Sequence, residues 1–156
     1  MERLNGKSMI AASNISQNVG VWRTDLANWN FAVDGGAIGT YAQFTVTGTV
    51  YCQVVGVCVD TLTSGGAATI EVGIAGNTAA LIAQTTATDL DQYETWQDAT
   101  PEANPGAVTL ELATFQITNG ADIIFTIGAA DLTAGSINFL ARWFPVSANG
   151  LVIAAT

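Results

Sequence analysis

Residues 67–75, AATIEVGIA, place Ala68, Ile70, Val72 and Ile74 on one side of an extended chain and Thr69, Glu71 and Gly73 on the other. Apolar residues at every second position fit a half-buried strand, and a helix would scatter them around its axis. The same period returns in residues 122–127, with Ile123, Phe125 and Ile127 in phase, and in residues 136–146, with Ile137, Phe139, Ala141 and Trp143 in phase. Turn signals separate these runs. Residues 61–66 end in Ser-Gly-Gly, expected to supply the positive φ of a turn, and Asn119-Gly120 is the pair that closes tight hairpins. Helix signals are nearly absent. The best is in residues 88–97, where Thr88 or Asp89 would cap a short turn running through Tyr93 and Trp96. Short strands separated by frequent turns predict an all-β protein, an antiparallel β-sandwich of jelly-roll type with about eight strands.

Two runs add detail. Residues 49–60, TVYCQVVGVCVD, are apolar on both faces: Val50, Cys52, Val54 and Cys58 on one, Tyr51, Val55, Val57 and Val59 on the other. A strand of this kind needs a cover on its second face, from another element or another subunit. Residues 108–118 predict a further strand whose apolar phase changes near Ala113, as a bulge would cause. Residues 98–106, DATPEANPG, read as a loop stiffened by Pro101 and Pro105. Residues 1–18 carry Ser13, Asn14, Ser16 and Asn18 without periodicity and read as a flexible or partner-ordered arm. Residues 19–156 form one β-sandwich domain on this reading, a length suited to a single core.

Only 11% of the 156 residues are charged, against about 25% in ordinary globular domains, while 49% are apolar. A surface so poor in charge favours association. The formal net charge is −9, from 13 acids against Arg3, Lys7, Arg23 and Arg142. Four scattered bases build no footprint for phosphate, which argues against nucleic acid and against anionic membrane as partners. The first residues, MERLNGKSMIAASNISQ, lack the apolar core of a signal peptide, and no run is long and apolar enough to span a bilayer, so synthesis in the cytoplasm is expected. Cys52 and Cys58, six residues apart in one strand, would lie roughly 20 Å from each other. No disulfide closes that gap, and both read as small core residues.

The absence of histidine removes the commonest general base and zinc ligand together. Glu71 and Glu111 are the remaining option for a carboxylate pair, but strand-face charges that keep edges soluble explain them as well. Asp89, Asp91, Glu94 and Asp98 form the densest acidic cluster, without the turn glycine and third ligand of a calcium loop. No catalytic residue, cofactor or metal is therefore expected. Four aromatics, Trp22, Trp29, Tyr93 and Trp96, lie in or beside segments that read as loops and are candidates for an interface or a ligand contact.

The pieces 44–50 (FTVTGTV), 62–83 (LTSGGAATIEVGIAGNTAALIA), 117–122 (ITNGAD), 131–135 (DLTAG) and 143–147 (WFPVS) resemble, in order and spacing, a family of small bacteriophage virion proteins. The resemblance implies a non-enzymatic β-domain on the exterior of a capsid. It would decorate or cement the shell, as a homotrimer in contact with itself and with the major capsid protein or another virion protein. The alternative is a head-fibre or tail module that binds host glycans. The segment before residue 40, with Trp22 and Trp29, has no counterpart in the resemblance.

Overall fold

The computed structural model describes residues 21–103 and 107–155. The arm expected over residues 1–18 lies outside the described residues. Ten strands follow in order: β1 (Arg23–Asn30), β2 (Gly39–Thr47), β3 (Val50–Ser64), β4 (Thr69–Ile74), β5 (Asn77–Thr86), β6 (Thr95–Trp96), β7 (Phe115–Ile117), β8 (Ile123–Gly128), β9 (Leu132–Pro145) and β10 (Leu151–Ala154). They build two antiparallel sheets. The first runs β1-β9-β3, with β6 and β7 pairing different parts of β3, and the second runs β10-β2-β8-β4-β5.

The pairing is nested. β1 pairs with β9, β2 with β8, β3 with β6 and β7, and β4 with β5. A long hairpin rolled on itself, with successive pairs assigned alternately to the two sheets, is the jelly roll that the periodicity predicts. The strand β10 adds to it by pairing with the β2 edge from Leu151↔Thr47 to Ala154↔Phe44.

Alternation decides which side chains enter the core. β8 buries Ile123, Phe125 and Ile127, while β9 buries Ile137, Phe139, Ala141 and Trp143. Phe125 and Phe139 meet across the two sheets with ring centroids 5.5 Å apart. Cys52 and Cys58 are free and fully buried, on the inner phase of β3.

Several local expectations are corrected. Of residues 108–118, only Phe115–Ile117 forms a strand. The backbone before it is held by side-chain amides instead of a ladder. Gln97 Nε2 donates to the Thr109 carbonyl and Gln97 Oε1 accepts from Glu111 N–H, while Gln53 Nε2 donates to the Leu112 carbonyl and to Thr114 Oγ1. The helical turn expected in residues 88–97 shrinks to a 3₁₀ turn at Ala87–Asp89. Trp96 then joins the first sheet opposite Gly56.

Asn119 and Gly120 take φ of 59° and 69°, so the tight turn forms. It joins β7 and β8, which belong to different sheets, and so closes no hairpin. Gly120 N–H donates to the Gly48 carbonyl, docking this turn on the β2–β3 corner. The Ser64–Gly65–Gly66 turn needs no left-handed glycine, and Ser64 Oγ accepts from Gly66 N–H.

Candidate functional site

The registers of the first sheet set its outward side chains in rows. Tyr51 lies opposite Phe144, and Trp22, just before β1, meets Phe144 edge-on at 4.8 Å. The guanidinium of Arg142 sits over the Trp22 ring at 4.6 Å, a cation–π contact that fixes the indole against the sheet. The next row is Gln53, Arg142 and Thr24, followed by Val55, Leu140 and Leu26, then Val57, Asn138 and Asn28. Leu26 is 64% exposed and Val57 37%, whereas Val55 is buried yet lies outside the main core cluster. Part of the second face of β3 is thus covered within the chain, and part opens onto an apolar stripe.

The outer face of the second sheet differs. Its rows are Thr40, Thr126 and Glu71, then Ala42, Ile124 and Gly73. Thr40 and Thr126 share a hydroxyl hydrogen bond of 3.2 Å, and Glu71 accepts from Gln84 Nε2. Beside these polar side chains stand Ala42 and Ile124 and, on β10, Leu151 and Ile153, which are 40% and 46% exposed, so this face is mixed. The row of aromatic rings and the more exposed Leu26 set the face of β1, β9 and β3 apart.

The four candidate aromatics do not come together. Trp22 belongs to the outer face just described. Trp29 is within β1 and points between the sheets, half-buried beside Tyr41 with ring centroids 5.0 Å apart. Trp96 is fully buried and packs on Phe139, so its ring is closed to any ligand. Tyr93 stands exposed, with a positive φ of 72°, in the turn before β6. Tyr41 escaped the sequence reading because nothing local marks it; it meets Trp29 only through the rolling of β1 against β2.

A lateral cleft of about 570 Å³ opens where β1 and β2 face each other, lined by Asn28, Trp29, Asp34, Thr40, Tyr41, Ala42 and Ala155. The carboxylates elsewhere are tied into turns. Glu94 Oε2 accepts from Asp91 N–H, Asp122 Oδ1 from Val46 N–H, and Asp131 Oδ1 from Ile38 N–H. Glu71 is on β4 of the second sheet, whereas Glu111 lies outside any strand, its N–H donating to Gln97 Oε1, and the cleft that Glu111 lines does not include Glu71. Among the described residues, no group of three or more His, Cys, Asp or Glu is placed to hold a metal ion. No described helix is long and apolar enough to cross a membrane. Burial pushes both thiols up to about 12, and for Cys58 the nearby carboxylates of Glu94, Asp91 and Asp60 add to the effect.

No protein-family profile matches this chain, and no curated protein matches it. The fold has a counterpart in a phage shell. A chain in the acidic stable capsid structure of Helicobacter pylori bacteriophage KHP30 superposes with a TM-score of 0.54. The match covers 85% of this chain and 93% of that one, at 13% sequence identity. An identity that low establishes likeness of fold and leaves function to the surface chemistry.

Proposed function

We propose that this chain is a bacteriophage virion structural protein, a capsid decoration or cement protein that sits on the exterior of the shell as a homotrimer. The observation that carries this reading is the apolar stripe on the outside of β1, β9 and β3, in a jelly roll whose fold recurs in a phage capsid. Burying Leu26, Leu140 and Val57, together with the Trp22–Phe144–Tyr51 row, against a neighbouring copy removes apolar surface from water. A subunit that binds only the assembled shell stabilises that shell by mass action. The net charge of −9 supports an outward position, away from packaged DNA. Residues 1–18 serve in this reading as the attachment arm to the major capsid protein or another virion protein.

Light scattering on the full chain over a hundredfold dilution, paired with co-sedimentation on capsids of the phage that encodes it, tests this. A trimer that persists and co-sediments is expected. Leu26→Glu should yield folded monomers, and deletion of residues 1–18 should keep the trimer while abolishing co-sedimentation. A wild-type chain that stays monomeric at every concentration removes the trimer, and one that ignores the capsid removes the cement role.

A further inference from the structure

The cleft between β1 and β2 touches the outer face invoked above at Asn28, the last residue of its final row, and its chemistry points to a small ligand. It exists because the β10 ladder on β2 begins at Phe44, which leaves Gly39–Ala42 paired on one side only, with β8. Among the described residues, β1 is the edge strand of its own sheet. Two strand edges therefore face each other across an opening whose floor is Trp29 and Tyr41, their rings inclined at 49°.

Both rings are oriented before any ligand arrives. Trp29 Nε1 donates to the Gly35 carbonyl and Tyr41 Oη to the Ala37 carbonyl, each at 2.8 Å. The polar ends are thereby satisfied inside the protein, and the rings present apolar surface to the cleft. The loop carrying those carbonyls is itself pinned. Asp34 Oδ2 accepts from Asn30 N–H, Phe31 N–H donates to the Gly135 carbonyl, and Leu132 N–H donates to the Gly36 carbonyl. A site held this way spends little ordering entropy on binding.

The rim mixes Asn28, Asp34 and Thr40 with Ala42 and Ala155, and no described cation lines it. Asn28 Nδ2 donates to Asn138 Oδ1, Thr40 shares its hydroxyl with Thr126 and Asp34 Oδ2 accepts from Asn30 N–H, which leaves each side chain further donors or lone pairs. A wholly apolar guest would strip water from these groups without replacing its hydrogen bonds. An anionic guest would meet Asp34 and a strongly acidic protein. A pyranose ring answers both demands, because one face is carbon-bound hydrogen that packs on aromatic rings while its rim is hydroxyl. The volume falls within the range of roughly 300–1,000 Å³ usual for small-ligand sites. We propose that this cleft binds a neutral hexose unit of a glycan, with Trp29 and Tyr41 as the stacking floor and Asn28, Asp34 and Thr40 as the polar rim.

Saturation-transfer NMR on the full chain tests this with the methyl glycosides of glucose, galactose and N-acetylglucosamine. N-Acetylneuraminic acid and choline serve as charged controls. Saturable binding of at least one neutral glycoside is expected, with Kd on the order of millimolar. Ala42→Arg, which fills the mouth from an exposed position and leaves the rings in place, should weaken it at least tenfold. Leu26→Glu on the outer face should leave it unchanged, which separates this site from the assembly surface. Absence of binding by all three neutral glycosides, binding confined to a charged control, or full affinity in Ala42→Arg would each overturn the assignment.

Discussion

At Gly36 the backbone passes so close to β9 that an added Cβ would run into the Leu132 carbonyl oxygen. That carbonyl opens β9, where Leu132 pairs with Ser64 and its N–H donates to the Gly36 carbonyl, so the two backbones have little room to part. Gly36→Ala is expected to cost about 3 kcal/mol or more. Gly65→Ala, where nothing lies within 4 Å, should stay within about 0.5 kcal/mol. Urea unfolding midpoints of the two variants against wild type check this pair. The buried thiols give a second expectation at this scale. Cys52 and Cys58 are raised from the usual 9.0 to about 12, so the unfolded chain releases these protons at lower pH than the folded one. Their contribution is then complete below pH 9 and is lost as pH rises towards 12. Stability should fall over that window, and the fall should flatten in the Cys52→Ala, Cys58→Ala double variant. At pH 8 neither thiol should react with a soluble disulfide reagent until denaturant is added.

Among the elements, the stretch from Thr109 to Thr114 depends most on single side chains. Gln53 and Gln97 hold its backbone in place of a partner strand. Each lost hydrogen bond is worth roughly 0.5–1.5 kcal/mol, which is small for the domain and large for one segment. Gln53→Ala with Gln97→Ala removes four of them and should lower the thermal midpoint by several degrees, while speeding chymotrypsin cleavage near Leu110 and Leu112 by a much larger factor than elsewhere in the chain. Equal cleavage rates in wild type and variant would show that the amides do not hold the segment. This stretch also marks a limit of what the sequence could show. Its apolar spacing was that of a strand, but β7 and β6 take the β3 edge at Val50–Cys52 and Gly56–Val57, and between them Gln53 reaches the stretch by its side chain instead of a ladder. Where alternation coincided with a ready partner, as in β4, β8 and β9, the reading from residues and the structure agree. The outer face was foreshadowed by the two-sided pattern of β3. The lateral cleft was not, because Trp29 and Tyr41 sit on strands of opposite sheets and become neighbours through topology alone.

Across the whole molecule, nested pairing sets sequence-distant strands side by side, with Arg23 of β1 opposite Trp143 of β9. Few contacts in such a fold are local, and chains of this kind close their sheets slowly, over milliseconds to seconds. Refolding followed by tryptophan fluorescence should fall in that range, because Trp96 and Trp143 become buried only once the first sheet is complete. Microsecond refolding would contradict the nested order. The central place of β9 also bears on synthesis at the ribosome. β1 and β3 emerge early, yet the strand that separates and joins them is Leu132–Pro145, made far later. Until then, Val50–Ser64 has only the short β6 and β7 to pair with, over five of its fifteen residues. The growing chain is thus exposed to chaperones, and to its own siblings on the same message, for most of its translation.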